Sequence, residues 1–361
     1  MSVADIDLTG LTRLELADKL SELGIARSAV KSIWNGIYIR GFTEFSQIET
    51  LSRTTQSKLA EHFTIGRPTV TRELMSTDGT RKWLLKWKDL QEVESVFIPE
   101  KDRGALCISS QVGCTLACTF CHTGTMKLVR NLTASEIVGQ VMNTRDRLQE
   151  WGRQRHECLC TNLVLMGMGE PLFNFDQVAR ALRIIMDGNG IGISRRRIML
   201  STAGVVPMIE RVGRELGVNL AISLHAVRDD LRDELVPLNK KYPIAELLQA
   251  CREYPAASNA RRITFEYVML RDINDSDAEA RELVRLLQGI HAKVNLIPWN
   301  PWPGAPYQTS RQERIQSFAR IIGEGGFSSA IRATRGEDIM AACGQLKSES
   351  GVSRHRMLNM N

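Results

Sequence analysis

Long apolar runs are missing from this chain. Nowhere do about 18 consecutive apolar residues occur, which argues against a membrane-spanning helix. The opening residues, Met1 to Asp7, carry no basic stretch followed by an apolar one, so no secretory leader is expected. There is no convincing internal repeat and no low-complexity tract. Excess charge is also scarce: 47 Lys and Arg against 41 Asp and Glu leave a formal net charge of +6. That balance permits an anionic partner such as RNA but does not by itself identify one. The expected setting is the cytosol, where thiols do chemistry or bind metals rather than staple folds.

The 361 residues are 43% apolar and 24% charged, an ordinary globular composition. This length exceeds what one core usually sustains, so a large domain with an accessory one is expected. The eight cysteines are informative through their placement. Four fall between Cys107 and Cys121, Cys158 and Cys160 form a loose pair, and Cys251 and Cys343 stand alone. Such clustering suits a metal site better than a disulfide framework.

Up to about residue 70 the pattern is helical. Leu14, Leu16, Leu20, Leu23 and Ile25 follow helical spacing, as do Val30, Ile33, Trp34 and Ile37, with Gly24, Gly36 and Gly41 as candidate breaks. Residues 71–103 read as β-rich, with a turn at Ser76–Gly79, alternating Trp83, Leu85 and Trp87, and a strand over Val93–Ile98. From Gly104 to Leu346, strands are predicted at Ala105–Ser109, Thr161–Met166, Arg197–Ser201, Asn219–Ser223, Ile263–Leu270 and Lys293–Pro298. Amphipathic helices at Ala134–Trp151, Phe175–Asp187 and Asp275–Gly289 alternate with them. The order β then α predicts a parallel sheet, open or closed into a barrel. Residues 347–361 read as a loose polar tail.

Unusual polar motifs follow strand after strand: Gly167-Met-Gly-Glu170, Ser201-Thr-Ala-Gly204, Ser223-Leu-His225 and Trp299-Asn-Pro301. In parallel α/β folds the C-terminal strand ends form the active face, so one rim would gather these distant segments.

Cys114-Thr-Leu-Ala-Cys118-Thr-Phe-Cys121 packs three soft ligands into eight residues. They can wrap one [4Fe-4S] cubane and leave its fourth iron free for another molecule. This CxxxCxxC spacing matches the radical S-adenosylmethionine (SAM) superfamily. The alternative is a structural zinc with Cys107, His122 or Cys158 as fourth ligand, although no clear second half-site is present. Glu170 after two glycines offers a carboxylate to an ammonium group, or is simply a helix-starting turn. Ser201, Ser223 and Asn300 could hold SAM or be cap and turn residues, and His225 alone could be structural. Cys107 and Cys343 taken singly read as buried hydrophobes, as do Cys158, Cys160 and Cys251.

Taken together, CISSQVGC (107–114), MGMGEP, LSTAGVVP, ISLHA, VPLNKKYPI, EYVML, NLIPWNPWPGAPY and TRGEDIMAACGQL (334–346) resemble the radical SAM adenine-C2 RNA methyltransferases of the RlmN family, in order over about two-thirds of the chain. The resemblance implies an α/β fold, a partial (β/α)6 barrel with an N-terminal helical accessory domain and a β-rich extension, and a monomer. It implies one [4Fe-4S] cluster on Cys114, Cys118 and Cys121, with SAM held by Gly169, Glu170, Ser201, Ser223, Leu224, His225 and Asn300. Cys343 would carry a methyl group taken from a first SAM. A second SAM, cleaved reductively, would yield the radical that activates this methyl for addition to adenine C2. Cys107 would release the product by forming a disulfide with Cys343, and Glu94 would accept the proton. C2 of adenine is not nucleophilic enough to attack SAM directly, which makes a radical route chemically reasonable.

The implied partners are 23S rRNA, at an adenine of the peptidyl-transferase centre, and tRNA, at the adenine 3′ of the anticodon, together with a cytosolic electron donor. Arg195–Arg197, Lys240–Lys241 and Arg261–Arg262 could meet phosphate or form solvated basic faces. Trp299, Trp302 and Tyr307 could stack on an extruded base or pack a loop. Two rivals stay open: the related C8 methyltransferases of the antibiotic-resistance type, and a zinc-stabilised RNA-binding protein without catalysis.

Overall fold

In the computed structural model, which describes residues 6–348, one sheet of ten strands runs through the protein strictly in sequence order. Its strands are β1 (Thr69–Met75), β2 (Arg81–Lys86), β3 (Glu92–Pro99), β4 (Gly104–Cys107), β5 (Cys160–Leu165), β6 (Ile198–Thr202), β7 (Asn219–Ser223), β8 (Ile263–Met269), β9 (Ala292–Pro298) and β10 (Ser328–Ile331). β1 to β4 pair antiparallel, joined by short turns. From β4 to β10 every pairing is parallel. β1 and β10 are the two edges, so the sheet is an open barrel. Residues 349–361, most of the predicted polar tail, lie outside the described residues.

Parallel neighbours need crossovers, and helices supply them. The N-terminal segment forms α1 (Arg13–Glu22), α2 (Ala29–Tyr38) and α3 (Arg53–His62). The crossovers are α4 (Ala134–Leu148), α5 (Phe175–Met186), α6 (Val206–Arg211, continued by one π turn to Leu216), α7 (Asp229–Leu235), α8 (Ile244–Arg252), α9 (Asp277–Leu287) and α10 (Gln312–Glu324). Reciprocal caps start several of them: Thr12 with Glu15, Thr133 with Glu136, and Ser276 with Glu279. β8 lies inside the sheet with all seven residues buried, as expected for a strand covered on both faces. No helix among the described residues is long and apolar enough to cross a membrane.

Three local expectations are corrected. Gly36 does not break a helix: it lies inside α2, buried against Phe42 and Ile48. Gly24 and Gly41 do end segments, both at positive φ, and a Cβ on Gly41 would collide with the Trp151 ring. The first core strand stops at Cys107 rather than Ser109, because Ser109 turns its backbone amide to Gln140 Oε1 (2.8 Å). β1 and β10, with less apolar alternation, were missed in the sequence.

The N-terminal helices share the main apolar core. Tyr38 of α2 donates to Thr9 O (3.0 Å), and Asp7 accepts from both Thr9 N and Gly66 N (3.0 Å each), tying the segment's two ends together. Phe318 of α10 is fully buried against the Tyr267 ring of β8, with centroids 5.1 Å apart. Phe318→Ala is expected to cost about 3–5 kcal/mol, seen as a lower denaturation midpoint; an unchanged midpoint would contradict this packing.

Candidate active site

β4 ends at Cys107, and the chain then builds a loop closed at its neck by Gln111–Val112 pairing with Arg130–Asn131. Gly113 has φ +78°, and a Cβ there would lie 2.1 Å from Lys127 O, so the neck closes only over glycine. Inside the loop, Leu116 N donates to Cys114 Sγ (3.3 Å) and Cys121 N to Cys118 O (3.2 Å). All three thiols line one cavity, with about 990 Å³ of free space including its mouth. Burial pushes each thiol up, Cys114 to about 12, and Cys118 is raised further by its neighbours Cys121 and Cys114. Thiols so placed ionise readily only with a strong cation beside them, which iron supplies.

The aromatic motif after β9 braces this loop. Trp299 Nε1 (3.0 Å) and Trp302 Nε1 (2.9 Å) both donate to Phe120 O, and Tyr307 shares a 2.6 Å hydrogen bond with Thr119. Trp302 also stacks on His122, with centroids 4.7 Å apart and rings 4° from parallel. These aromatics are thus engaged with the cysteine loop, Trp299 buried and Trp302 and Tyr307 half-buried.

The expected strand-end residues meet at this cavity. Gly169, Glu170, Ser201, Ser223, His225 and Asn300 all line it. Gly169 sits at φ +97°, and a Cβ there would lie 2.5 Å from Gln111 Cβ. Glu170 is buried, accepting from Leu172 N (3.0 Å) and Ala203 N (2.8 Å), and burial pushes its carboxyl up to about 7. The Ser201 and Ser223 hydroxyls are 3.5 Å apart. His225 adopts φ +63° and accepts from Val268 N through Nδ1 (3.1 Å), so its proton is on Nε2. Burial drives its pKa down to about 3, so the ring is neutral. Leu224 does not line the cavity: its side chain is buried and its amide donates to Glu266 O (3.1 Å).

Sequence reasoning missed Arg232. It is fully buried and donates to Ala203 O (2.7 Å), Leu224 O (2.9 Å), Ser223 O (3.1 Å) and Asn239 Oδ1 (2.8 Å), binding the ends of β6 and β7 together. A lone arginine in a helix carries no motif. Only its interruption of an apolar face could have marked it.

Cys343 lines the same cavity and also a smaller second one, which Cys107 lines. Both are free thiols. Burial pushes Cys107 up to about 12; nearby Cys343 raises it further, while Arg332 pulls it down. Arg332, also missed in the sequence, lines both cavities and lies 3.6 Å from Glu266. The segment carrying Cys343 is bonded to the cysteine loop: His122 N donates to Gly344 O (2.7 Å) and Thr123 Oγ1 to Leu346 O (2.5 Å). Asn300 Nδ2 donates to Cys343 O (3.0 Å).

Glu94 lines neither cavity. It lies in β3, where its carboxylate meets Lys82 Nζ (3.1 Å) and accepts from Lys347 N (2.9 Å); burial raises its pKa and Lys82 opposes the rise.

Among the described residues, none of Cys107, His122 and Cys158 completes a zinc site with the three thiols. Cys158 precedes β5, at the far end of the strands, and His122 is stacked with Nδ1 turned to Gln345 O (3.3 Å). Cys107 opens to the second cavity. Among the described residues, no three His, Cys, Asp or Glu side chains converge on a single-ion position. Arg195–Arg197 and Arg261–Arg262 precede β6 and β8, on the face opposite the site. Lys240–Lys241 lie nearer, in the exposed turn after α7, whose Leu235 O accepts from Thr119 N (3.2 Å).

Residues 108–284 match the family model described as the radical SAM superfamily. The dual-specificity RNA methyltransferase RlmN of Rhodopseudomonas palustris is 61% identical over 356 residues, covering 95% of this chain and 89% of that protein. The protein of the same name from Granulibacter bethesdensis is 60% identical, covering 96% and 89%. The crystal structure of a radical SAM methyltransferase from Sphaerobacter thermophilus aligns with a TM-score of 0.89 at 44% identity, over 95% of this chain and 99% of that one.

The raised Glu170 carboxyl gives a pH prediction. Between its ordinary 4.5 and about 7 the folded state holds more protons than the unfolded one, so stability falls as pH rises through that window. In protein without bound SAM, Glu170→Gln should flatten that part of the stability profile. Identical slopes in denaturant titrations would rule this out.

Proposed function

This chain belongs to the RlmN family of radical SAM RNA methyltransferases, and from that premise we propose how its own residues divide the reaction. The family implies a [4Fe-4S] cluster and SAM. In our reading Cys114, Cys118 and Cys121 hold the cluster, whose bound state supplies one electron to cleave SAM and start radical chemistry. The donor set fits: three half-buried thiols that influence one another's ionisation line one cavity, together with Gly124, Gly167 and Gly169. Glu170 receives the SAM ammonium, exchanging its costly burial for a charge partner. Ser201, Ser223 and the Nε2–H of His225 supply hydroxyl and N–H groups to the rest of that molecule, with Gly169 and Asn300 beside them.

Cys343 acts as the methyl carrier. Its sulfur takes a methyl group by polar transfer from one SAM; that methyl then gives a hydrogen atom to the radical derived from a second SAM, and the resulting carbon radical bonds to C2 of an adenine, linking RNA to protein. Glu94, which lies outside both cavities but against the Cys343 segment, takes the C2 proton, and the odd electron of the adduct would return to the oxidised cluster. Cys107 as thiolate attacks the Cys343 sulfur; the S–S bond forms, the sulfur–carbon bond breaks with its electron pair going to the carbon, and that carbon takes up a proton as methylated RNA is released. A cytosolic reductant resets the disulfide, and two SAM molecules are used per turnover. The observation that carries this reading is the position of Cys343, which faces the cysteine-loop cavity on one side and Cys107's cavity on the other.

The substrates are an adenine of the 23S rRNA peptidyl-transferase centre and the tRNA adenine 3′ of the anticodon. Residues 1–70 help grip RNA, residues 71–103 form an extension, and residues 104–346 are the catalytic barrel. The enzyme works as a cytoplasmic monomer without a membrane partner. Mass spectrometry of nuclease-digested RNA after isotopic methyl transfer tests the carbon modified: label on C2 is expected, and label on C8 would assign the chain to the other branch. Cys107→Ala should accumulate a covalent protein–RNA complex and Cys343→Ala none. Equal trapping by both variants would refute the carrier assignment.

A further inference from the structure

The segment Met340–Lys347 belongs to no helix or strand. Met340 (φ +53°) and Gly344 (φ +83°) are both left-handed. A backbone without ladder bonds takes its register from whatever satisfies its polar groups. At its two ends those groups come from a single buried pair. Lys82 Nζ donates to Met340 O (2.9 Å) and contacts Glu94 Oε1 (3.1 Å). Glu94 Oε2 accepts from Lys347 N (2.9 Å). Lys82 pairs across from Val96, and Glu94 is two residues from Val96 on the same face, so the two charges are diagonal neighbours on one side of the β2–β3 ladder. They are only 5% and 2% exposed.

We propose that Lys82 is a positioning residue for the carrier sulfur: with Glu94 it forms a buried clasp that holds both ends of Met340–Lys347 and so fixes Cys343 between the two cavities. This rests on the carrier reading of Cys343. A buried ion pair is weak evidence for stability, because well-packed apolar residues often do as well. Here the capacity left over on each partner is spent on one loop. The β1–β2 turn grips the chain just before it: Ser76 Oγ bonds Asp338 Oδ1 (2.5 Å), and Gly336 N donates to Asp78 Oδ2 (3.1 Å). The antiparallel strands are thereby a dock for the carrier segment.

The test uses the holoenzyme, kept anaerobic in mixed reduced and oxidised glutathione, with the Cys107–Cys343 disulfide fraction read by mass spectrometry. Lys82→Met should shift that equilibrium toward the thiols by about tenfold, as one lost buried polar contact would, with iron content retained. Lys82→Arg should restore most of it. Hydrogen exchange over 340–347 should accelerate in Lys82→Met and not in Lys82→Arg. An unchanged disulfide equilibrium with unchanged exchange overturns the clasp. If the wild type forms no disulfide at all, the thiol-pair reading fails by itself, and exchange over 340–347 still decides the clasp. Should Lys82→Met not fold, Lys82→Gln, which keeps a donor without the charge, is judged by the same two measurements.

Discussion

Everything in this site depends on two loops, distant in sequence, being locked edge to edge. A sulfur at 343 can act on a molecule held by residues 114–121 only if the two segments share a fixed frame, since reacting atoms must stay within about 3–3.5 Å. The frame reaches the backbone: His122 N, directly after Cys121, donates to Gly344 O, directly after Cys343, and the Thr123 hydroxyl donates to Leu346 O. Displacing either loop would move both. The two tryptophans on Phe120 O and the asparagine on Cys343 O extend the same frame from β9, so one strand end steadies both halves.

Charge follows a similar economy. The thiols are buried, and burial favours their protonated forms. Among the described residues, Arg232 beside Cys118 is tied to strand-end carbonyls and Arg332 beside Cys107 to Glu266. Held this way they are preorganised, so charge developing on a sulfur meets an oriented field rather than one that must rearrange.

Much of this was legible beforehand. The CxxxCxxC loop, the glycine–glutamate turn and the serines at strand ends are local patterns, and local patterns survive in a sequence. The alternation of strands and helices placed them on one rim correctly, with boundary errors of one to three residues. Lys82, Arg232 and Arg332 were invisible because each is a single cation whose meaning comes from partners far along the chain. Trp299, Trp302 and Tyr307 were visible as a cluster, yet composition could not say which of their faces and N–H groups would be taken. The sequence leaves the arginine runs open between phosphate contact and a solvated face. They are conspicuous in sequence, but they start strands whose other ends carry the chemistry.

The sheet's linear strand order has a consequence for how the enzyme comes into being. Chains emerge from synthesis N-terminus first, and early parts can fold before later ones exist. Each strand here has its preceding neighbour already made, so the barrel can grow by accretion from the β1–β2 hairpin onward. The segment around Asp338 then returns to that same hairpin, spanning 262 residues to Ser76. The first part of the barrel to form therefore waits for the last. If Cys343 carries the methyl group as proposed above, the nascent enzyme stays chemically silent until the segment around residue 343 has been made and docked on that hairpin.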